Sequence, residues 1–122
     1  MAKKILVVDD EPQIVRLLSQ RLKANGYETF AANDGYQCLK MAQEVKPDLI
    51  LLDIKMPAGG GVEAFNNLKS SVYTEMIPII FITANHSDEV KREVMNMGAD
   101  GFFAKPFNSV DLLNQIKGLI GE

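Results

Sequence analysis

The sequence predicts a doubly wound α/β sandwich: a five-stranded parallel sheet in the order 2-1-3-4-5, with five helices covering its faces. Three observations predict it. Apolar runs alternate with stretches of helical spacing five times, and no linker, low-complexity tract or long repeat interrupts them. Strict alternation with short connections calls for parallel strands and right-handed crossovers. The first, third and fourth runs are the most apolar, as strands buried on both faces are, and are therefore central. Last, the run Leu49-Ile50-Leu51-Leu52 ends on Asp53, so an acid reaches the carboxyl edge of the middle strand, where open parallel sheets bind ligands.

Each element has its own signals. Met1-Ala2-Lys3-Lys4 leads straight into the strand Ile5-Leu6-Val7-Val8, which ends on Asp9-Asp10. Glu11-Pro12 opens a helix, because proline suits the first helical position and acids suit the positive end of the macrodipole. Ile14, Val15, Leu18 and Leu22 form its apolar stripe, and Asn25-Gly26 stops it with Gly26 as the left-handed cap. Tyr27 to Ala32 is a more polar strand and belongs at the sheet edge. Asp34 caps a second helix containing Cys38, Leu39 and Ala42, which ends at Lys46-Pro47.

After the central run, Pro57 and Gly59-Gly60-Gly61 mark a loop, and a helix follows with Val62, Phe65 and Leu68 inward. The fourth strand spans Ile77 to Ile82, with Pro78 tolerable only near its start, and ends on Thr83-Ala84. His86 or Ser87 opens a fourth helix with Val90, Val94 and Met97 at helical spacing, stopped by Gly98. Phe102-Phe103-Ala104 is the last strand and runs into Lys105-Pro106. Asn108 or Ser109 caps a final helix carrying Val110, Leu113, Ile116 and Ile120.

Composition narrows the function. The 122 residues suffice for one domain, residues 1–122, with a core that needs no staples. A net charge of −3 gives no electrostatic footprint for nucleic acid or an anionic membrane. Cys38 is the only cysteine, which excludes a disulfide framework and a thiol metal site and reads as a small core residue. No run approaches the length of a membrane span and the start does not read as a signal peptide, so the expected compartment is the cytoplasm.

The predicted fold brings five polar groups to one edge: Asp9 and Asp10 from the first strand, Asp53 from the third, Thr83 from the fourth and Lys105 from the fifth. Three packed carboxylates repel one another and persist either by raising a pKa or by holding a cation. Hard oxygen ligands with room for waters suit magnesium. A hydroxyl and an ammonium suit an anionic oxygen, so the set describes a site for a phosphoryl group on a carboxylate. Taken singly, each residue has a plainer reading. Asp9 and Asp10 also suit a helix start, Thr83 a strand, Lys105 solvent and His86 a loop, while the methionines suit core filling. Only their joint arrival on the correct strands favours the site.

Four segments then resemble a known family: Ile5-Leu6-Val7-Val8-Asp9-Asp10-Glu11-Pro12, Pro47-Asp48 through Met56-Pro57, Ile82-Thr83-Ala84, and Gly98-Ala99-Asp100-Gly101 through Lys105-Pro106-Phe107. Across its whole length the chain resembles the receiver domain of bacterial two-component response regulators. Their flavodoxin-like fold is already known for the 2-1-3-4-5 order. The resemblance implies that Asp53 accepts a phosphoryl group from a sensor histidine kinase or phosphotransfer protein. It implies a Mg2+ site in which Asp10, Asp53 and the backbone carbonyl of Lys55 ligate directly and Asp9 acts through water. Thr83 and Lys105 would bind phosphoryl oxygens, the Lys105-Pro106 bond would be cis, and Phe102 would be an aromatic switch responding to Thr83. A downstream partner or output domain would read the face made by helix 4, strand 5 and helix 5, by population shift.

Lys55 and Asn85, two positions beyond Asp53 and Thr83, are expected to flank the path of an attacking water. The family's usual aspartate before the third helix is replaced by Gly60, which is expected to loosen that loop. The face between helices 4 and 5 lacks the alternating charges that DNA-binding members use to dimerise, which leaves the dimer mode open.

Two other classes fit less well. A phosphatase with an aspartyl-phosphate intermediate would carry its nucleophile in an Asp-x-Asp motif after the first strand, and Asp9-Asp10-Glu11 does not match. A flavin carrier on this fold needs a Ser/Thr/Gly phosphate cradle there, whereas acids repel phosphate. The chain stops after the last helix, leaving no room for an output domain, so a stand-alone regulator and a piece of a longer protein both remain open.

Overall fold

The computed structural model describes residues 2–56, 60–84 and 87–121. Pro57, Gly59, Asn85 and His86, all placed by the sequence in loops or at a helix start, lie outside the described residues. Strands and helices alternate strictly: β1 (Lys4–Val8), α1 (Pro12–Ala24), β2 (Glu28–Ala32), α2 (Gly35–Val45), β3 (Leu49–Asp53), α3 (Gly61–Lys69), β4 (Ile79–Thr83), α4 (Asp88–Asn96), β5 (Gly101–Ala104) and α5 (Ser109–Ile120). All pairings are parallel and the order is β2-β1-β3-β4-β5. The predicted topology and the edge position of the polar strand both hold.

The pleat divides the core in two, because alternate side chains on a strand face opposite ways. Leu6, Val8, Ile50, Leu52, Ile79 and Phe81 point to the side covered by Cys38 and Ala42 of α2, Phe65 and Leu68 of α3, and Val94 of α4. Ile5, Val7, Leu49, Leu51, Ile80 and Ile82 point to the side covered by Leu18 and Leu22 of α1 and Leu112 and Ile116 of α5. Every residue of β3 and β4 is buried, so neither strand can shift register by one residue without driving its apolar set out of one core layer. That rigidity fixes where Asp53 and Thr83, their last residues, emerge.

Helix ends follow the chemistry of their caps. Asp34 accepts the Gln37 N–H at 2.7 Å, Ser87 caps α4 through Val90, and Asn108 rather than Ser109 caps α5. Gly26, just beyond the end of α1, has φ +90°, a left-handed conformation that glycine adopts without steric cost. The Lys105-Pro106 peptide is cis.

Three details differ from the sequence reading. β4 begins at Ile79, and Pro78 stands just outside it, where its carbonyl accepts the Ile50 N–H at 3.0 Å. Gly61 is the first residue of α3 rather than part of the loop. In α5, Val110 is 64% exposed while Leu112 is buried. Leu112 lies four residues before Ile116 and so shares its face, whereas Val110 lies six residues before it and falls on another side of the helix.

Candidate functional site

Strand direction assembles the site. Asp9 follows β1 and is buried, its N–H extending the ladder to the Ala32 carbonyl at 3.2 Å. One carboxylate oxygen of Asp9, Oδ1, accepts the Glu11 N–H at 2.9 Å. The other, Oδ2, meets the Lys105 ammonium at 2.8 Å. Asp10 is exposed beside it. Asp53 closes β3, buried at 4% exposure, with its Oδ2 3.6 Å from Lys105 Nζ and its carboxylate accepting the Lys55 N–H. Thr83 closes β4, buried as well, and its carbonyl accepts the Lys105 N–H at 2.8 Å. That bond carries the β4–β5 ladder one residue past Ala104, so the Lys105 backbone lies two residues beyond the register of Asp53.

An open cavity of about 190 Å³ lies among Asp10, Glu11, Asp53, Lys55, Thr83 and Lys105. A water occupies roughly 30 Å³, so the cavity has room for several waters or for a phosphoryl group with some of them. Burial pushes the Asp53 carboxyl up to about 6, and the Asp9 anion adds to this. Lys105 and the Lys55 N–H oppose the rise, and Asp10 adds to it. Burial alone would lower the Lys105 pKa, but its hydrogen bonds to Asp9 and Glu11 and the Asp53 charge outweigh burial and raise it, so the lysine stays a cation. One oxygen each from Asp9, Asp10 and Asp53 fall within 4.8 Å of one another. Three hard anionic donors converging beside water-sized space, one of them already destabilised by like charge, fit a hydrated divalent cation such as magnesium.

The structure brings Asp9, Asp10, Asp53, Thr83, Lys105 and Lys55 to one end of the sheet, as the strand assignments required. Phe102 stands apart from the cavity: it is half-buried in the layer with Val94 and Met97, opposite Phe81 in register. One member was missed. Glu11, read from the sequence as a helix-start acid, places Oε1 2.9 Å from Lys105 Nζ. Gly60 has φ −70° and ψ 176°, a backbone conformation that any residue adopts. The tight position is Gly61: a Cβ there would lie 2.7 Å from Ile54 Cα and would strike the Asp53 carbonyl. Its N–H donates to the Ile54 carbonyl at 2.7 Å, packing the start of α3 onto the segment just after Asp53.

A doubly wound sheet with this lysine and these acids at its switch point describes a phosphoacceptor fold. Residues 5–117 match the family described as the response regulator receiver domain, and the chain belongs to that family. It is a receiver domain of the kind that is phosphorylated on an aspartate in two-component signalling. The alkaline phosphatase synthesis transcriptional regulatory protein PhoP of Bacillus subtilis is 39% identical over 120 residues, covering 98% of this chain and 49% of that protein. The chain thus spans about half the length of that curated relative. The chemotaxis protein CheY4 of Vibrio cholerae superimposes with a TM-score of 0.90 at 34% identity, over 98% of this chain and 99% of that one. The receiver domain of a Pseudomonas aeruginosa sensor histidine kinase, solved with a magnesium ion coordinated in its active-site cleft, gives 0.90 at 27% identity over the full length of both chains. Among the described residues no helix is long and apolar enough to cross a membrane.

Proposed function

We propose that residues 1–122 form one receiver domain in which Asp53 accepts a phosphoryl group from the phosphohistidine of a sensor histidine kinase or phosphotransfer protein. The observation that carries this reading is the Lys105 ammonium, held 3.6 Å from a buried Asp53 that also faces the like charges of Asp9 and Asp10. An Asp53 oxygen attacks phosphorus, the P–N bond breaks, and the electron pair leaves on the imidazole nitrogen, giving an acyl phosphate. Lys105 and Thr83 bind the phosphoryl oxygens. Asp10, Asp53 and the Lys55 carbonyl would hold magnesium, with Asp9 acting through water. Bound there, the ion supplies positive charge that offsets both the carboxylate repulsion and the phosphoryl charge.

Receiver domains are signalling switches, and here the chemistry is confined to the chain's own Asp53, its phosphorylation and later hydrolysis. The switch passes from Thr83 to Phe102 and is read on the face of α4, β5 and α5 by a downstream partner or output domain. The domain itself contacts neither nucleic acid nor membrane, in keeping with its net charge of −3, and works in the cytoplasm. Incubation with acetyl phosphate and magnesium, read by intact mass, tests the acceptor: the wild type gains one phosphoryl group per chain and Asp53→Asn gains none. Equal labelling of both proteins would overturn the assignment.

A further inference from the structure

Glu11 is the N-cap residue of α1, a position that favours short Ser, Thr, Asp or Asn side chains able to accept a bond from the first turn. Its side chain makes no capping bond in α1. The main chain does the work at this end: the Glu11 carbonyl accepts from Ile14 and Val15 at 3.1 and 3.2 Å, and its N–H is held by Asp9 at 2.9 Å. The side chain, 59% exposed, instead reaches back to a lysine 94 residues away and meets it at 2.9 Å. Lys105 Nζ thus lies 2.8 and 2.9 Å from Asp9 and Glu11 but 3.6 Å from Asp53. The ammonium rests on the β1 side of the cavity rather than on the acceptor.

We propose that Glu11 is a positioning residue that shares Lys105 with Asp9 in the resting state and holds its ammonium away from Asp53. The role rests on the reading of Asp53 as acceptor. A phosphoryl group on Asp53 competes with Glu11 for the same cation, so the glutamate sets how readily Lys105 is handed over. Glu11→Gln keeps the length and the backbone and removes only the charge.

Phosphorylation rates with acetyl phosphate at saturating magnesium, measured on wild type, Glu11→Gln, Lys105→Met and the double variant, test this. Glu11→Gln speeds phosphorylation about two- to fivefold, the range expected from one partly exposed ion pair, and the gain disappears in the Lys105→Met background. A gain that persists without Lys105 is simple relief of repulsion toward an anionic donor and overturns the proposal. So does an unchanged or slower Glu11→Gln protein. A wild type that takes no phosphoryl group overturns the acceptor reading, and the role of Glu11 in transfer with it. The Lys105 ammonium resonance in magnesium-free protein reports the resting pair independently of labelling: it shifts in Glu11→Gln and not in the distant control Glu28→Gln. A resonance unmoved by Glu11→Gln overturns the proposed resting contact even if Asp53 is labelled normally.

Discussion

Acids stand at both edges of the sheet, and they are used in opposite ways. At the amino edge, Asp48 accepts the Lys4 N–H at 2.7 Å while its own N–H donates to the Lys4 carbonyl at 2.7 Å. Asp100 repeats the clip between β5 and β4, accepting the Ile79 N–H at 2.9 Å and donating to the Ile79 carbonyl at 2.8 Å. Each closes the first rung between two parallel strands. At the carboxyl edge, Asp9, Asp10 and Asp53 converge on one another, and Asp9, Asp53 and Glu11 share Lys105. The difference comes from strand polarity. The amino ends of parallel strands offer N–H groups in need of an acceptor, and a carboxylate satisfies one. The carboxyl ends of the strands offer carbonyls, so the acids gathered there draw on loop N–H groups and on the Lys105 cation instead.

Phosphoryl labelling separates the two edges most widely, since Asp53→Asn loses it completely and Asp48→Asn retains it. Stability against pH comes next. The Asp53 carboxyl stands near 6 in the folded protein against an ordinary value of 3.8. Because the folded value is the higher, the stability from this group is full below about pH 4 and is lost as pH rises through about 6. Magnesium-free wild type therefore loses on the order of 2–3 kcal/mol relative to Asp53→Asn across that window. Urea midpoints of both proteins measure it, and parallel pH curves would remove the buried, crowded acid from the account.

Substitution at the amino edge has the other sign. Asp100→Ala leaves the Ile79 N–H without its acceptor and costs about 1–2 kcal/mol, with no response to magnesium. Asp10→Ala, by contrast, gains about 0.5 kcal/mol or less in magnesium-free buffer, as fits an exposed charge relieved of its neighbours. Magnesium at tenfold above its dissociation constant stabilises the wild type by about 1.4 kcal/mol and the Asp10→Ala protein much less. A mere helix-start role for Asp10 predicts a loss of about 1 kcal/mol instead, and equal magnesium effects on both proteins. The smallest effect is kinetic. Lys55 is exposed and lines the cavity, and its long side chain is expected to screen an acyl phosphate on Asp53 from water. Lys55→Asn shortens the phosphorylated half-life several-fold, as followed by loss of label after removal of the donor; a longer life would assign the screening elsewhere.

Much of this was legible because the signals are local and periodic. Five alternations of apolar run and helical stripe specify a parallel doubly wound sheet, and the position of each polar residue relative to its run tells which edge it occupies. Asp9, Asp10, Asp53, Thr83 and Lys105 each close or follow a run, so strand direction alone sends them to one edge, whereas the clips made by Asp48 and Asp100 emerge only in the structure. The inward face of α5 was less legible: Val110 reads as part of a stripe with Leu113 and Ile116, yet the buried residue is Leu112, four positions before Ile116.

By itself, the sequence determined the fold, the strand order and the set of groups at the carboxyl edge, since strand polarity and burial follow from the pattern of side chains along the chain. Only the tertiary structure decided how those groups divide their charges. The Glu11–Lys105 pair joins residues 94 positions apart, and no periodicity reports a contact of that kind. The need for glycine at Gly61 likewise arises from the close approach of α3 to the backbone beyond Asp53, not from any turn that the local sequence encodes. Distances of a few ångströms between elements set electrostatics and close packing, and those distances exist only once the layers have packed.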